Sequence, residues 1–140
     1  DPAAAPLSAA LGVLGLNGVT ALIALRELGR PVAGETILVS TAAGGVGSVV
    51  GQLARAAGLK TVGLTGDDAK AALCRETFGY DAAINYRAAA DLGAAIAEAA
   101  PDGIDVFFDN TGGAIADAVF PRMRVAGRVV QCGTASVASW

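Results

Sequence analysis

The residues best suited to chemistry lie in one run, Thr36-Ile-Leu-Val-Ser-Thr-Ala-Ala-Gly-Gly-Val-Gly47. Its first part is apolar and β-branched, and its second part, Thr41–Gly47, is small-residue rich. Small residues between a strand and a helix let the phosphates of a ligand approach the backbone. The unpaired amides and the dipole of the helix that follows then attract a pyrophosphate. The spacing Gly44-x-x-Gly47 keeps the last two positions of the dinucleotide fingerprint, with Thr41 where a first Gly or Ala is expected. Gly44 or Gly45 would admit the phosphates, Val46 opens the helix, and Gly47 lets that helix pack on the strand. No Gly-Lys-Ser/Thr follows, which excludes a P-loop. A glycine-rich turn without a ligand and the corresponding turn of a methyltransferase are the competing readings of this run.

The next strand bears on which nucleotide is bound. NAD-binding domains place an acid near the end of the second strand, roughly 20 residues past the glycines, where it bonds the ribose hydroxyls. Here the strand ends Leu64-Thr65-Gly66, and Gly66 stands in the acid position. Asp67 or Asp68 suits the N-cap of the following helix. Lys70, one turn later, suits a 2′-phosphate, although an ordinary exposed helix lysine would look the same. The expected cofactor is NADP(H) rather than NAD(H).

Three further strand ends carry polar or small residues where a cofactor would pass: Asn85-Tyr86-Arg87, Asp109-Asn110-Thr111-Gly112-Gly113 and Cys132-Gly133-Thr134-Ala135-Ser136. Tyr86 can cover the adenosine ribose, and Asn110 flanks the glycine loop. Read structurally, Asn110 and the glycines suit a turn before a helix, and Tyr86 a half-buried strand end. The chain has no histidine and two cysteines, Cys74 and Cys132. Cys132 has no histidine to activate it as a nucleophile, two isolated cysteines do not make a zinc pattern, and no catalytic residue is assigned.

These residues need a frame, and the chain supplies one by alternation. Expected strands are Thr36–Ser40, Thr61–Thr65, Ala82–Asn85, Ile104–Asp109 and Arg128–Cys132. Expected helices are Val46–Ala57, Asp68–Phe78, about Ala89–Ala100, and Ala114–Met123 with Pro121 disturbing its last turn. Before them, Leu7–Leu28 reads as two helical pieces with a turn near Leu16–Gly18, stopped by Gly29-Arg30-Pro31. Short apolar strands separated by helices mean an α/β fold with a parallel sheet, and right-handed crossovers favour a doubly wound one. The expected order is 3-2-1-4-5, with the reversal between the first and fourth strands. The usual sixth strand of this fold is missing, so a fragment of a longer enzyme is expected.

Composition agrees. Of 140 residues, 54% are hydrophobic and 16% charged, which excludes disorder and suits a sheet buried on both faces. A net charge of −3 gives no reason to expect nucleic acid or an anionic membrane. No apolar run approaches a membrane span, no signal peptide is expected because Asp1–Ala10 lacks a basic n-region, and the isolated cysteines point to a reduced, cytoplasmic compartment.

Five segments, taken together, carry a resemblance. Leu11–Ala21, Val39–Gln52, Phe78–Arg87, Phe108–Gly113 and Cys132–Ser136 resemble the zinc-independent medium-chain dehydrogenases/reductases, nearest the prostaglandin reductase, leukotriene B4 12-hydroxydehydrogenase and curcumin reductase type. The resemblance covers essentially the whole chain and implies a Rossmann nucleotide-binding domain. It implies an NADPH-dependent reductase of the C=C bond of α,β-unsaturated ketones or aldehydes, with a small enone or enal as partner and a possible homodimer at full length. The family's cofactor loop falls on Gly44, Gly45, Val46 and Gly47, its phosphate-binding lysine on Lys70, its tyrosine on Tyr86, its asparagine on Asn110 and its fifth-strand loop on Cys132–Ala138, including Gly133 and Thr134. Thr20 falls near the nicotinamide or its phosphates. Zinc-dependent cousins carry a cysteine ligand where this chain has Leu16, which implies an enzyme without metal. Relatives carry a tyrosine soon after the Cys-Gly-x-x-Ser motif; this chain has Ala138 there and Trp140 just beyond. Quinone reductases, an enoyl-reductase module of a polyketide synthase and a non-catalytic dinucleotide-binding module are the alternative functions.

Overall fold

In the computed structural model, residues 6–136 are described. Five strands, β1 (Thr36–Val39), β2 (Lys60–Thr65), β3 (Ala82–Asn85), β4 (Ile104–Asp109) and β5 (Met123–Gln131), form one parallel sheet in the order 3-2-1-4-5. The order and the reversal between β1 and β4 are those expected. The two central strands pair Ile37 with Val106, Leu38 with Phe107 and Val39 with Phe108.

Alternation along the strands splits the core into two layers. Ile37, Val39, Val106 and Phe108 face α2 (Leu16–Ile23), which continues as a π-helical turn over Ala24–Gly29, and α3 (Gly45–Ala56). Leu38, Leu64 and Phe107 face α5 (Leu92–Ala99) and α6 (Gly113–Val119). Every residue of β1 is buried, because helices cover both faces of the sheet there. Each fully buried Ile, Leu or Phe contributes about 1.5–3 kcal/mol relative to exposure.

Several boundaries differ from expectation, each for a physical reason. Leu16–Gly18 is not a turn. After a short α1 (Leu7–Leu11) the chain turns before Gly15, which caps α2. Gly18 is needed for proximity: a Cβ there would lie 1.6 Å from the Val13 carbonyl oxygen. α5 starts at Leu92 because Asp91 caps it, accepting the Ala94 amide at 2.9 Å. α4 (Asp68–Glu76) ends before Phe78. α6 stops at Val119, and Pro121 sits in a 3-10 turn over Phe120–Arg122. β5 starts at Met123 and ends at Gln131, so Cys132 lies beyond the strand. An irregularity between its pairs at Ile104 and Val106, with Ala126 at φ 66°, interrupts the regular ladder.

Arg128 fastens β5 to the start of the domain. Its guanidinium donates to Glu35 at 2.8 Å and to the Gly29 carbonyl at 3.0 Å. The Arg128 guanidinium, bonded to the Glu35 carboxylate, holds that carboxyl below its ordinary range and raises the arginine in turn.

Candidate functional site

The carboxyl ends of β1, β2 and β3 open on a cleft of about 310 Å³. Thr41, Ala43 and Gly44 line one side; Thr65, Gly66, Asp67 and Lys70 the floor; Tyr86 and Arg87 the other side. Three of the residues singled out from sequence, Gly44, Lys70 and Tyr86, are thus brought together.

The glycine loop is shaped by close contacts. Gly44 caps α3 and has no side chain to bond the first helical amides, so the amides of that turn remain available. A Cβ at Gly47 would stand 2.3 Å from the Thr41 carbonyl oxygen, and one at Gly45 would strike the Asn17 amide nitrogen at 2.5 Å. Glycine at 47 therefore seats the helix on the loop, and glycine at 45 makes room for α2. Val46 follows in the first turn of α3 and is half-buried. Thr41 holds φ 52°, a left-handed conformation rare for a β-branched residue. Thr20 is half-buried on α2, one turn past Asn17, and does not line the cleft.

At the end of β2, Gly66 leaves open the space that an acid would fill. A Cβ there would lie 3.2 Å from the Tyr86 hydroxyl and 3.5 Å from Arg87 Nε. Arg87 lies over the Tyr86 ring, 5.9 Å from its centroid. Asp67, rather than Asp68, caps α4: its Oδ1 accepts the Lys70 amide at 2.8 Å, and its Oδ2 stands 3.0 Å from Lys70 Nζ. Those contacts hold the Asp67 carboxyl below the usual range, the amide most. Asp68 instead accepts from Asn85 Nδ2 at 2.9 Å, and the Asn85 side-chain oxygen accepts the Arg87 amide at 3.1 Å.

Across the switch point the ends of β1, β4 and β5 are tied around Asp109, which is fully buried. Its carboxylate accepts from Ser40 Oγ at 2.9 Å, from the Thr111 amide and hydroxyl at 2.9 and 3.0 Å, and from the Gly112 amide at 3.0 Å. Several donors offset the cost of burying a charge. Asn110 donates from Nδ2 to the Ser40 carbonyl at 2.7 Å. Cys132 and Gly133 donate their amides to the Asp109 carbonyl, and a Cβ at Gly133 would fall 2.8 Å from the Asn110 carbonyl oxygen. Thr134 follows, half-buried. Ser136 Oγ donates to the Thr111 and Gly112 carbonyls. Asn110, Cys132, Gly133 and Thr134 thus sit together at this end, outside the cleft proper. Burial pushes the Cys132 thiol up and the Cys74 thiol to about 11, which leaves both poor nucleophiles at neutral pH. Ala138 and Trp140 lie outside the described residues.

Sequence reasoning missed Arg87 and Asp109 as organising residues, and it missed Tyr80. The Tyr80 hydroxyl donates to the Gly47 carbonyl at 2.7 Å, and its ring fills the space left by Gly51. Among the described residues no three His, Cys, Asp or Glu side chains are grouped so as to hold a metal. No described helix is long and apolar enough to cross a membrane.

Comparison with known proteins completes the picture. The family model described as zinc-binding dehydrogenase matches residues 45–139. Prostaglandin reductase 1 of Bos taurus is 45% identical over 136 residues, covering 97% of this chain and 41% of that protein. The NADP(+)-dependent 2-alkenal reductase of Nicotiana tabacum is 44% identical over 131 residues, covering 94% of this chain and 38% of that protein. The crystal structure of CurA in complex with NADPH from Vibrio vulnificus superposes with a TM-score of 0.89 at 39% identity, covering 92% of this chain and 38% of that one. The chain therefore spans about two fifths of the length of these relatives.

Proposed function

Since the chain belongs to the zinc-binding dehydrogenase family, we propose that it is the nucleotide-binding part of an NADPH-dependent reductase acting on the C=C bond of α,β-unsaturated ketones and aldehydes. The observation that carries the cofactor reading is the cleft at the β2 end. Gly66 stands where an acid would meet a ribose hydroxyl, and two cations, Lys70 and Arg87, line the same space. A 2′-phosphate fits that arrangement; a ribose diol alone leaves both cations without a partner on the ligand. The glycine cradle fits a pyrophosphate, because Cβ atoms at 44 and 47 would fill it or force α3 away from the loop.

When bound, NADPH supplies the hydride. The protein's part is to hold and orient it. The first-turn amides of α3, from Gly45 through Gly47, bind the pyrophosphate. Lys70 and Arg87 bind the 2′-phosphate and Tyr86 flanks the adenosine ribose. Asn110, Thr20 and the Cys132–Thr134 loop border the reacting end. The oxyanion that develops on the substrate carbonyl needs a hydrogen-bond donor, and none of the described residues is assigned that task. Leu16 at the cysteine position of zinc-dependent cousins supports a reaction without metal. The relatives named for reduction of prostaglandins and alkenals support the substrate class.

Calorimetric titration with NADP+ and NAD+ tests the cofactor reading. NADP+ is expected to bind severalfold tighter, and Lys70→Gln to remove about 1 kcal/mol or more of that preference. Equal affinity of the unaltered chain for both nucleotides would sink the 2′-phosphate assignment. S-adenosylmethionine binding in place of either would point to a methyltransferase instead.

A further inference from the structure

We propose that Asp67, besides capping α4, is a competing anion that holds Lys70 until a phosphate takes it, and that this competition moderates the chain's preference for a 2′-phosphorylated nucleotide. The inference rests on reading the cleft as an NADP(H) site.

A helix cap needs one oxygen, and Asp67 supplies Oδ1 for that purpose. Its second oxygen is spare, and it is placed 3.0 Å from the ammonium of the same lysine. Ser or Asn would make the same cap bond without bringing a charge. The neighbouring acid shows the contrast: Asp68 is engaged by Asn85 and does not line the cleft. Two cations and one carboxylate therefore face the same space, a net of one positive charge.

An entering phosphomonoester competes with Asp67 Oδ2 for Lys70 Nζ, and it then lies beside a carboxylate. Arg87, stacked on Tyr86, offsets that repulsion from the opposite wall. A nucleotide without the phosphate meets a different site. Its 2′-hydroxyl can donate to Asp67 Oδ2 while Lys70 stays paired. One residue thus penalises the phosphorylated ligand and assists the other. Asp67 and Lys70 are about half exposed or more, so the effect is screened by salt.

The test is titration of the chain and of Asp67→Asn, Lys70→Gln and the double variant with NADP+, NAD+ and adenosine 2′,5′-bisphosphate. Asparagine keeps the cap and removes the charge; Asp67→Ser is the second variant, should Asp67→Asn fold poorly. Asp67→Asn is expected to tighten NADP+ and the bisphosphate about 2- to 5-fold at low salt, with the gain shrinking at high salt. NAD+ should bind no tighter, or more weakly. In the Lys70→Gln background the gain should fall by more than half, because there is no ammonium left to release. If Asp67→Asn leaves NADP+ affinity unchanged or lowers it, or tightens NAD+ by the same factor, the competing-anion role is wrong while the NADP(H) site stands. If the folded unaltered chain binds none of the three ligands, the site itself is wrong.

Discussion

Thr41 sits at the mouth of the cleft with φ 52°. For a non-glycine residue this costs on the order of 1–3 kcal/mol, and glycine would relieve it. Thr41→Gly is therefore expected to raise the unfolding free energy by roughly 1 kcal/mol after the extra entropy of an unfolded glycine is deducted, read as a higher denaturation midpoint. Thr41→Val should bring no gain. A lower midpoint for the glycine variant than for the native chain would mean that the threonine side chain, whose methyl lies by Gly44, contributes more than the strain costs. At this scale, much of the cleft was legible. Gly66 was conspicuous as the missing acid, and Lys70 as a cation one turn later. Arg87 carries no signal of its own in the sequence, because its approach to Gly66 exists only once β2 and β3 are paired. Asp67 was read as a cap, and its second oxygen has no signature in a one-dimensional pattern. Asp109 was hidden for a similar reason: its donors come from residues as distant as Ser40.

Elements meet through absent side chains as well as through large ones. α3 lies against the loop after β1 and against Tyr80 because Gly47 and Gly51 remove the obstacles, and Tyr80 fills what Gly51 leaves. Replacing Gly51 by alanine gains about 1 kcal/mol in helix propensity. It also sets a Cβ 2.2 Å from the Tyr80 ring, which is held on the far side by its bond to Gly47. Overpacking of this kind costs about 1–3 kcal/mol, so the steric term wins and Gly51→Ala should lower stability. Measured by urea denaturation, the loss should be smaller in a Tyr80→Leu background; equal losses in both backgrounds would show that the ring is not the obstacle. Element type and order were legible from β-branched runs and apolar periodicity. Boundaries were not, where a cap outranked composition. Asp91 starts α5 after an alanine run that reads as helix, and the glycines at 15 and 18 act in opposite ways, one capping α2 and the other admitting it to Val13.

Over the whole molecule, the first and last strands of the sequence are joined by charge. Arg128 on β5 reaches Glu35 ahead of β1, and both are largely withdrawn from solvent. The folded-state value of Glu35 lies below its unfolded value, so its contribution to stability is fully present above about pH 5. It is lost as the pH falls through the folded-state value. Glu35→Gln should then be less stable than the native chain at neutral pH and converge with it in acid. A gap between the two that stays constant down to strongly acidic pH would mean that the pair contributes through packing alone. The sheet order was legible from the rules of crossover handedness; this tie between distant segments was not. Along α2 and the turn after it, Leu16, Leu22, Ile23 and Leu28 are exposed, apolar side chains of the kind that mark an interaction surface.

The reversal between β1 and β4 also has a kinetic side. Ser40 and Asp109 can meet only after the intervening segment of nearly half the chain has closed, an entropic cost of roughly 3–4 kcal/mol for a loop of that length. The strand pairs β1–β2 and β2–β3 close far shorter loops. Every residue lining the cleft falls between Thr41 and Arg87. During synthesis the part that lines the cleft can therefore assemble while β4 and β5 are still to be made, and the buried knot at Asp109 is tied last.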